Sequence, residues 1–260
     1  MLMKVENLSC GYGSHTILQG VNLSLREGEL WCILGPNGVG KTTLFKTVLG
    51  LLKKQKGEIF LKGKPMEQWR RSELAQVIAY VPQSHIPPFP FKVLDVVLMG
   101  RNPHLRQGSI IREKDIDAAF TALEMLHIEY LYDTAYTQIS GGERQLVLFA
   151  RAIAQDTPIL VLDEPVSNLD FGNHHKVIEY IRDIVKMGKT VIMTTHFPDH
   201  AFLPESHVML LRRDKGFVEG KGDTVLTEEV LKEMYQIDSR IVDLKSLGHE
   251  QKVCISIHEK

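Results

Sequence analysis

Short apolar runs alternate with amphipathic stretches along this chain. Leu30-Trp31-Cys32-Ile33-Leu34, Val77-Ile78-Ala79-Tyr80-Val81, Ile159-Leu160-Val161-Leu162 and Thr190-Val191-Ile192-Met193-Thr194 are almost wholly apolar. Such runs predict strands covered on both faces, as in a parallel sheet. Near the start the pattern differs. A strand is predicted from Val5 to Leu8, a turn at Gly11-Tyr12-Gly13, and an alternating, half-buried strand from Ile17 to Leu25. These pieces predict an antiparallel β layer, and another strand is expected at Gly57 to Leu61. Helical spacing predicts helices at Thr43 to Leu49, Glu67 to Gln76, Gly172 to Lys186 and Thr227 to Tyr235. From Val93 to Ala154 strand signals vanish, and Ile116, Ala119, Phe120, Leu123 and Leu126 recur at three- and four-residue steps. Further strands are predicted at His207 to Leu211 and Phe217 to Glu219, and the tail through Val253 to Ile257 is β-rich. Alternation of strands and helices predicts an α/β fold with a mainly parallel sheet core. One domain over residues 1–260 is expected, with 1–83 and 158–260 as the α/β core and 84–157 as a helical lobe.

Composition narrows the class. The 260 residues are 43% hydrophobic, enough for a sizeable core. The formal net charge of -1 gives no global electrostatic case for nucleic acid or an anionic membrane. Cys10, Cys32 and Cys254 form no CxxC pair and read as free thiols of a reducing compartment. No apolar run reaches the roughly 18 to 20 residues that span a bilayer. The expectation is a cytoplasmic chain that meets a membrane only through a partner.

The candidate chemistry sits at strand ends. Gly35-Pro36-Asn37-Gly38-Val39-Gly40-Lys41-Thr42 is a glycine, four residues, then Gly-Lys-Thr, between a predicted strand and a predicted helix. Backbone N–H groups of such a loop converge on one anion, and the helix start adds partial positive charge. Lys41 can reach terminal phosphates, and the Thr42 hydroxyl can hold magnesium. Asp163 and Glu164 end an apolar strand, the rim where open α/β sheets bind ligands. Asp163 would orient the metal, through water, and Glu164 would polarise a water attacking the γ-phosphate. His196 ends the next strand and can bond the same phosphate. His196 and His200 are four apart, but Pro198 intervenes and H-E-x-x-H is absent, so zinc is rejected. His174 and His175 read as a solvated helix face. Ser140 is a natural N-cap for a helix from Arg144 to Ala154. Tyr12 could stack on a nucleobase or simply pack at its turn. The proline-rich stretch His85 to Phe91 could be a contact surface or could tuck its aromatics inward.

Together these motifs resemble the ATP-binding subunits of ABC transporters over essentially the whole chain. The matching residues are the P-loop, Gln83 (Q-loop), Ile139 to Glu143 (signature), Ile159 to Glu164 (Walker B and the following Glu), Ser167 to Asp170 (D-loop) and His196 (switch histidine). The resemblance implies ATP held by Tyr12, Gly35, Pro36, Asn37, Gly38, Val39, Gly40, Lys41, Thr42 and Thr43, with Mg at Thr42, Gln83 and Asp163. Glu164, His196 and Lys41 would be catalytic. It also implies a head-to-tail dimer with a second copy, in which Ser140, Gly141, Gly142 and Glu143 of one copy cap ATP on the other, with Asp170 in the D-loop. Two polytopic permease subunits and, indirectly, a substrate-binding protein are the implied partners, at the cytoplasmic face of the cell membrane; nucleic acid is not. The His85 to Phe91 loop would be the permease contact.

A narrower resemblance, carried by Val93 to His104, Glu143 to Leu148, Leu169 to Asn173 and Leu226 to Tyr235, is to ATPases of iron-chelate, haem and cobalamin importers. Part of it is shared with zinc and manganese importers, and oxyanion import is a further alternative. A soluble ABC protein acting on ribosomes or DNA is disfavoured by a single P-loop, no extended heptads and no basic stripe. Ile139, Glu143, Leu146 and Val166 depart from the commonest family residues, and none removes a catalytic group.

Overall fold

The computed structural model describes residues 1–83, 89–105, 110–167, 169–213, 216–247 and 252–257. Its elements run β1 (Met3–Tyr12), β2 (His15–Leu25), β3 (Leu30–Leu34), α1 (Lys41–Val48), β4 (Lys56–Leu61), β5 (Lys64–Pro65), α2 (Arg71–Leu74), β6 (Ile78–Val81) and α3 (Val93–Leu98). They continue with α4 (Glu113–Met125), α5 (Gly141–Ala154), β7 (Ile159–Leu162), α6 (Phe171–Lys186), β8 (Thr190–Thr195), β9 (His207–Leu211) and β10 (Phe217–Gly220). The chain closes with α7 (Gly222–Val225), α8 (Glu228–Tyr235), β11 (Ser239–Asp243) and β12 (Lys252–Ser256). Two compact units result: Met1–Met66 with Ile192–Lys260, and Glu67–Val191.

In the first unit, β2-β1-β4-β5 form the expected antiparallel layer. Met3 pairs with Leu25 on one side and Leu61 on the other, and Val5 with Leu23 and Ile59. All six side chains are buried. Each contributes about 1.5–3 kcal/mol of apolar burial, an upper estimate for a chain that is never fully extended. β3 runs parallel to β9, Trp31 facing His207 and Leu34 facing Leu210, while β10 pairs antiparallel with β9. β3 is buried at every position, and α1, which follows the loop after it, buries Leu44, Phe45 and Val48 as well. The β-rich tail resolves into a hairpin, β11 against β12.

In the second unit β6 runs parallel to β7, Val81 facing Leu162. Helices α3, α4 and α5 form the helical part. A Cβ on Gly100 would lie 2.2 Å from the Arg151 carbonyl oxygen, so only glycine admits that approach to α5. Arg101 donates to Asp115 Oδ1 at 3.2 Å and to the Ala154 carbonyl at 2.7 Å, while His104 Nε2 meets the Gln155 carbonyl at 2.7 Å. The Gly-Arg-Asn-Pro-His stretch thus serves helix packing. The predicted helix from Glu67 to Gln76 is not continuous: a 3-10 turn spans Met66–Gln68, Arg70 is extended, and α2 has four residues. Arg70 caps α2, its N–H donating to Glu73 Oε2 at 2.8 Å, so a local cap wins over helical continuity. No described helix is long and apolar enough to cross a membrane.

Candidate nucleotide-binding site

The P-loop leaves β3 at Gly35, which is buried. A Cβ there would sit 2.9 Å from Val39 Cγ1 and 3.0 Å from the Leu211 carbonyl oxygen. Gly40 has φ 113°, and its Cβ would lie 2.7 Å from Ile17 Cγ2. Both constraints select glycine independently of any ligand. Gly40 occupies the N-cap of α1 with no side-chain cap, so the helix start is left to backbone donors. Lys41 is 5% exposed, and its Nζ donates to the carbonyls of Gly35 at 2.7 Å and Pro36 at 3.3 Å. The ammonium is therefore anchored over the loop it serves. Asn37 and Gly38 are exposed, Pro36, Val39 and Thr43 buried, and Thr42 half-buried.

Tyr12 ends β1 with its side chain half exposed. Gln55 Nε2 donates to the Gly13 carbonyl at 2.9 Å and steadies that turn. His196 follows β8, half-buried, its ring 4.2 Å from that of Phe197 at 33°. These residues share the first unit with the P-loop.

In the second unit, Asp163 is 1% exposed and its N–H donates to the Val81 carbonyl at 2.9 Å. The Tyr80 hydroxyl donates to Asp163 Oδ2 at 3.4 Å. Burial, and then the Asp163 charge, push the Tyr80 phenol far above its ordinary range. The next residue breaks the strand. Glu164 has φ 48°, in the left-handed region, where a non-glycine residue costs on the order of 1 kcal/mol. Glu164 is itself buried. Gln83 Nε2 donates to Glu164 Oε2 at 2.8 Å, and Ser167 Oγ donates to the Glu164 carbonyl at 3.1 Å. The carboxylate is thus held on one side by an amide and its backbone by the following turn.

Ser140 caps α5. Its Oγ accepts from the Glu143 N–H at 3.2 Å, and Glu143 Oε2 accepts from the Ser140 N–H at 2.8 Å. This reciprocal capping box satisfies two helix-start donors. The Ser140 bonds lower the Glu143 carboxyl below its ordinary value. Tyr130 donates to Glu143 Oε1 at 3.2 Å. Ser140 and Gly141 are exposed. A Cβ on Gly142 would meet Leu169 Cδ2 at 3.3 Å, so the start of α5 packs close to Leu169. Asp170 caps α6, its Oδ1 accepting from the Asn173 N–H at 2.9 Å, and that bond lowers the carboxyl's pKa. Phe171 beside it is 92% exposed.

The structure therefore joins Lys41 to its own loop, Gln83 to Glu164, Ser140 to Glu143, and Gly142 to Leu169. Tyr80 and Tyr130, which bond Asp163 and Glu143, carried no sequence signal, since partner choice depends on how distant segments meet. Asn168 and His85 to Pro88 lie outside the described residues; Phe89 and Phe91 are exposed and their rings meet edge-on at 5.9 Å. Among the described residues no cluster of His, Cys, Asp and Glu could cage a metal. Thr42 in the first unit, and Gln83 and Asp163 in the second, each carry an oxygen of the hard kind that Mg²⁺ takes. Cys10 and Cys32 are buried free thiols, and Cys254 is half-buried.

Comparison with known proteins identifies the family. The family model described as ABC transporter matches residues 18–167. An uncharacterized ABC transporter ATP-binding protein of Haemophilus influenzae is 40% identical over 252 residues, 97% of this chain and 96% of the relative. A "Probable iron chelatin transport ATP-binding protein" of Helicobacter pylori is 36% identical over 257 residues, 98% of this chain and 99% of the relative. The molybdate import ATP-binding protein of H. influenzae is 35% identical over 237 residues, covering 90% and 88%. Among solved structures, an inward-facing transporter assigned to the metal-chelate type superposes with a TM-score of 0.86 at 31% identity, covering 99% of this chain and 98% of that one. A P-loop on a buried strand, a capped signature helix and a full-length match of sequence and fold lead to one conclusion: this chain belongs to the ABC transporter family of ATP-binding proteins.

Proposed function

We propose that this chain is the ATP-hydrolysing subunit of an importer for metal chelates of the iron-siderophore, haem or cobalamin class. The observation that carries the substrate class is the superposition, end to end, on a metal-chelate type transporter. In this reading residues 1–83 and 158–260 serve as the nucleotide-binding core and 84–157 as the helical lobe.

Tyr12 stacks on the adenine. Gly35 to Thr43 wrap the phosphates, and Lys41 exchanges its carbonyl partners for phosphate oxygens. Thr42, Gln83 and Asp163 would hold Mg²⁺, Asp163 through water, and the ion would supply positive charge against that of the phosphates. Glu164 accepts the proton of the attacking water, oriented by the Gln83 amide on Oε2. His196 bonds the γ-phosphate. Ser140, whose hydroxyl accepts from Glu143 N–H, still has its own proton to give a phosphate oxygen. Since Ser140 and Gly141 face outward, that oxygen belongs to ATP bound by a second copy, in a two-fold, self-complementary dimer. Asp170 lies in the D-loop at the same interface. Hydrolysis then releases the copies and moves two permease subunits at the cytoplasmic face of the membrane.

A detergent pull-down with this chain as bait tests the assignment. Recovery of a polytopic permease and a chelate-binding protein is expected. Recovery of ribosomes or DNA, or of nothing, with ATPase activity intact, contradicts it. The molybdate-importing relative supports oxyanion import as a second reading. Uptake by the reconstituted complex separates the two: the first predicts transport of a labelled ferric chelate and no labelled molybdate.

A further inference from the structure

Both chain neighbours of His196 are tied to one hydroxyl. Thr195 ends β8 and is 1% exposed. Its Oγ1 accepts from the Phe197 N–H at 3.0 Å and lies 2.8 Å from His200 Nδ1. The first bond closes a tight side-chain turn across His196. The second fixes the hydroxyl, because His200 is itself only 5% exposed. The Phe197 ring links the two imidazoles, 4.2 Å from that of His196 and 5.4 Å from that of His200.

The same turn is held from the C-terminal hairpin. Asp199 Oδ1 accepts from the Cys254 N–H in β12 at 2.6 Å. On the opposite edge of the hairpin, Glu228 Oε1 accepts from the Ile241 N–H at 3.1 Å. Ile241 and Cys254 face each other across the ribbon, so carboxylates cap an outward N–H on both of its edges. Lys252, also in β12, bonds Asp223 Oδ1 at 2.6 Å. An isolated two-stranded hairpin is marginal in water, and these bonds fasten it. One of them lands three residues after the switch histidine.

We propose that Thr195, His200 and Asp199 are positioning residues for His196, and that the C-terminal hairpin, through Cys254, belongs to the ATP-hydrolysing machinery. The proposal rests on the reading of His196 given above. A group that must meet a phosphate oxygen loses on the order of 100-fold in rate when misplaced by about 1 Å. The turn is short, so release of either tether moves the ring.

Steady-state ATPase of the full-length chain tests this, with nucleotide affinity and thermal stability measured beside it. Thr195→Val keeps the shape and removes the hydroxyl; kcat should fall at least about tenfold, with ATP Kd within about twofold. Thr195→Ser should restore kcat. Asp199→Ala should lower kcat in the same way, while Asp199→Asn, whose amide oxygen still accepts, should not. Cys254→Pro removes an N–H directed to Asp199 and not to the β11–β12 ladder, and should match Asp199→Ala. The Asp199→Ala/Cys254→Pro double variant should lose no more than either single one. If His196→Ala is inactive while Thr195→Val and Asp199→Ala turn over at the wild-type rate, the proposal fails and the reading of His196 stands. If His196→Ala itself keeps the wild-type rate, both fall. If Thr195→Ser and Asp199→Asn lose kcat in step with thermal stability, the residues merely support the fold and the proposal is overturned.

Discussion

Two helix starts in this molecule, each beside glycine, differ in construction. α1 follows Gly40 and carries no side-chain cap, and a buried lysine lies over the loop before it. α5 follows Ser140 and is closed by a reciprocal capping box with Glu143. Both offer N–H groups and the positive end of a helix dipole. Only the first leaves its helix-start donors to whatever the loop encloses. The second has satisfied part of its own donors and presents an exposed serine and glycine outward. A start stripped of side-chain caps suits an anion bound by one chain. A self-capped, exposed start suits an anion already held by another.

That contrast can be broken at either end. The largest expected effect is from Ser140→Arg. It should reduce ATP turnover by roughly 100-fold or more, the scale of losing a donor to a developing charge, while ATP affinity of the monomer stays within about twofold. Hydrolysis at the wild-type rate would remove α5 from the site. Lys41→Ala should do the reverse and weaken ATP binding by about 10- to 100-fold, the scale of one hydrogen bond to a charged group; titration calorimetry measures it. Gly40→Ala should weaken binding by about tenfold, because left-handed backbone costs roughly 1–2 kcal/mol and the new Cβ meets Ile17. Undiminished affinity there would mean the loop re-forms without its glycine. The smallest effect concerns the cap itself. Glu143→Ala should cost about 1 kcal/mol of stability, read as a shift of a few degrees in melting temperature. The folded-state pKa of Glu143 is lowered, so its contribution is present above the unfolded carboxylate value near ~4.3 and is lost as pH falls through the folded value. Wild type and Glu143→Ala should therefore converge in acid; a constant gap down to low pH would mean the ionised cap is not what stabilises α5.

The sequence was most legible where a single physical demand fixed each residue. Leu30–Leu34 and Ile159–Leu162 are strands with the predicted ends, because burial on both faces leaves one continuous apolar run. Ser140 was legible as a cap because its partner is three residues away. Features that depend on distant segments were not. Nothing local in Arg101 announces that it meets Asp115, a buried carboxylate whose desolvation is outweighed by bonds from Arg112 and Arg101, leaving its pKa lowered. Glu164 was expected at the strand end, but its left-handed backbone and its bond to Gln83, 81 positions away, are properties of the folded turn. The hairpin's hold on the turn after His196 was likewise invisible, since Asp199 and Cys254 are 55 positions apart. Local chemistry could be read from the chain, and the restraints on that chemistry required the fold.

The most direct test of the account is sedimentation velocity of Glu164→Gln with and without Mg-ATP. An amide cannot take the proton of the attacking water, so bound ATP should persist and hold two copies together. The prediction is a monomer without nucleotide, a dimer with Mg-ATP, and a monomer again when ATP is replaced by ADP. A variant that binds Mg-ATP at full occupancy yet sediments as a monomer at every concentration would contradict a site completed by a second copy. It would leave α5 as an ordinary capped helix.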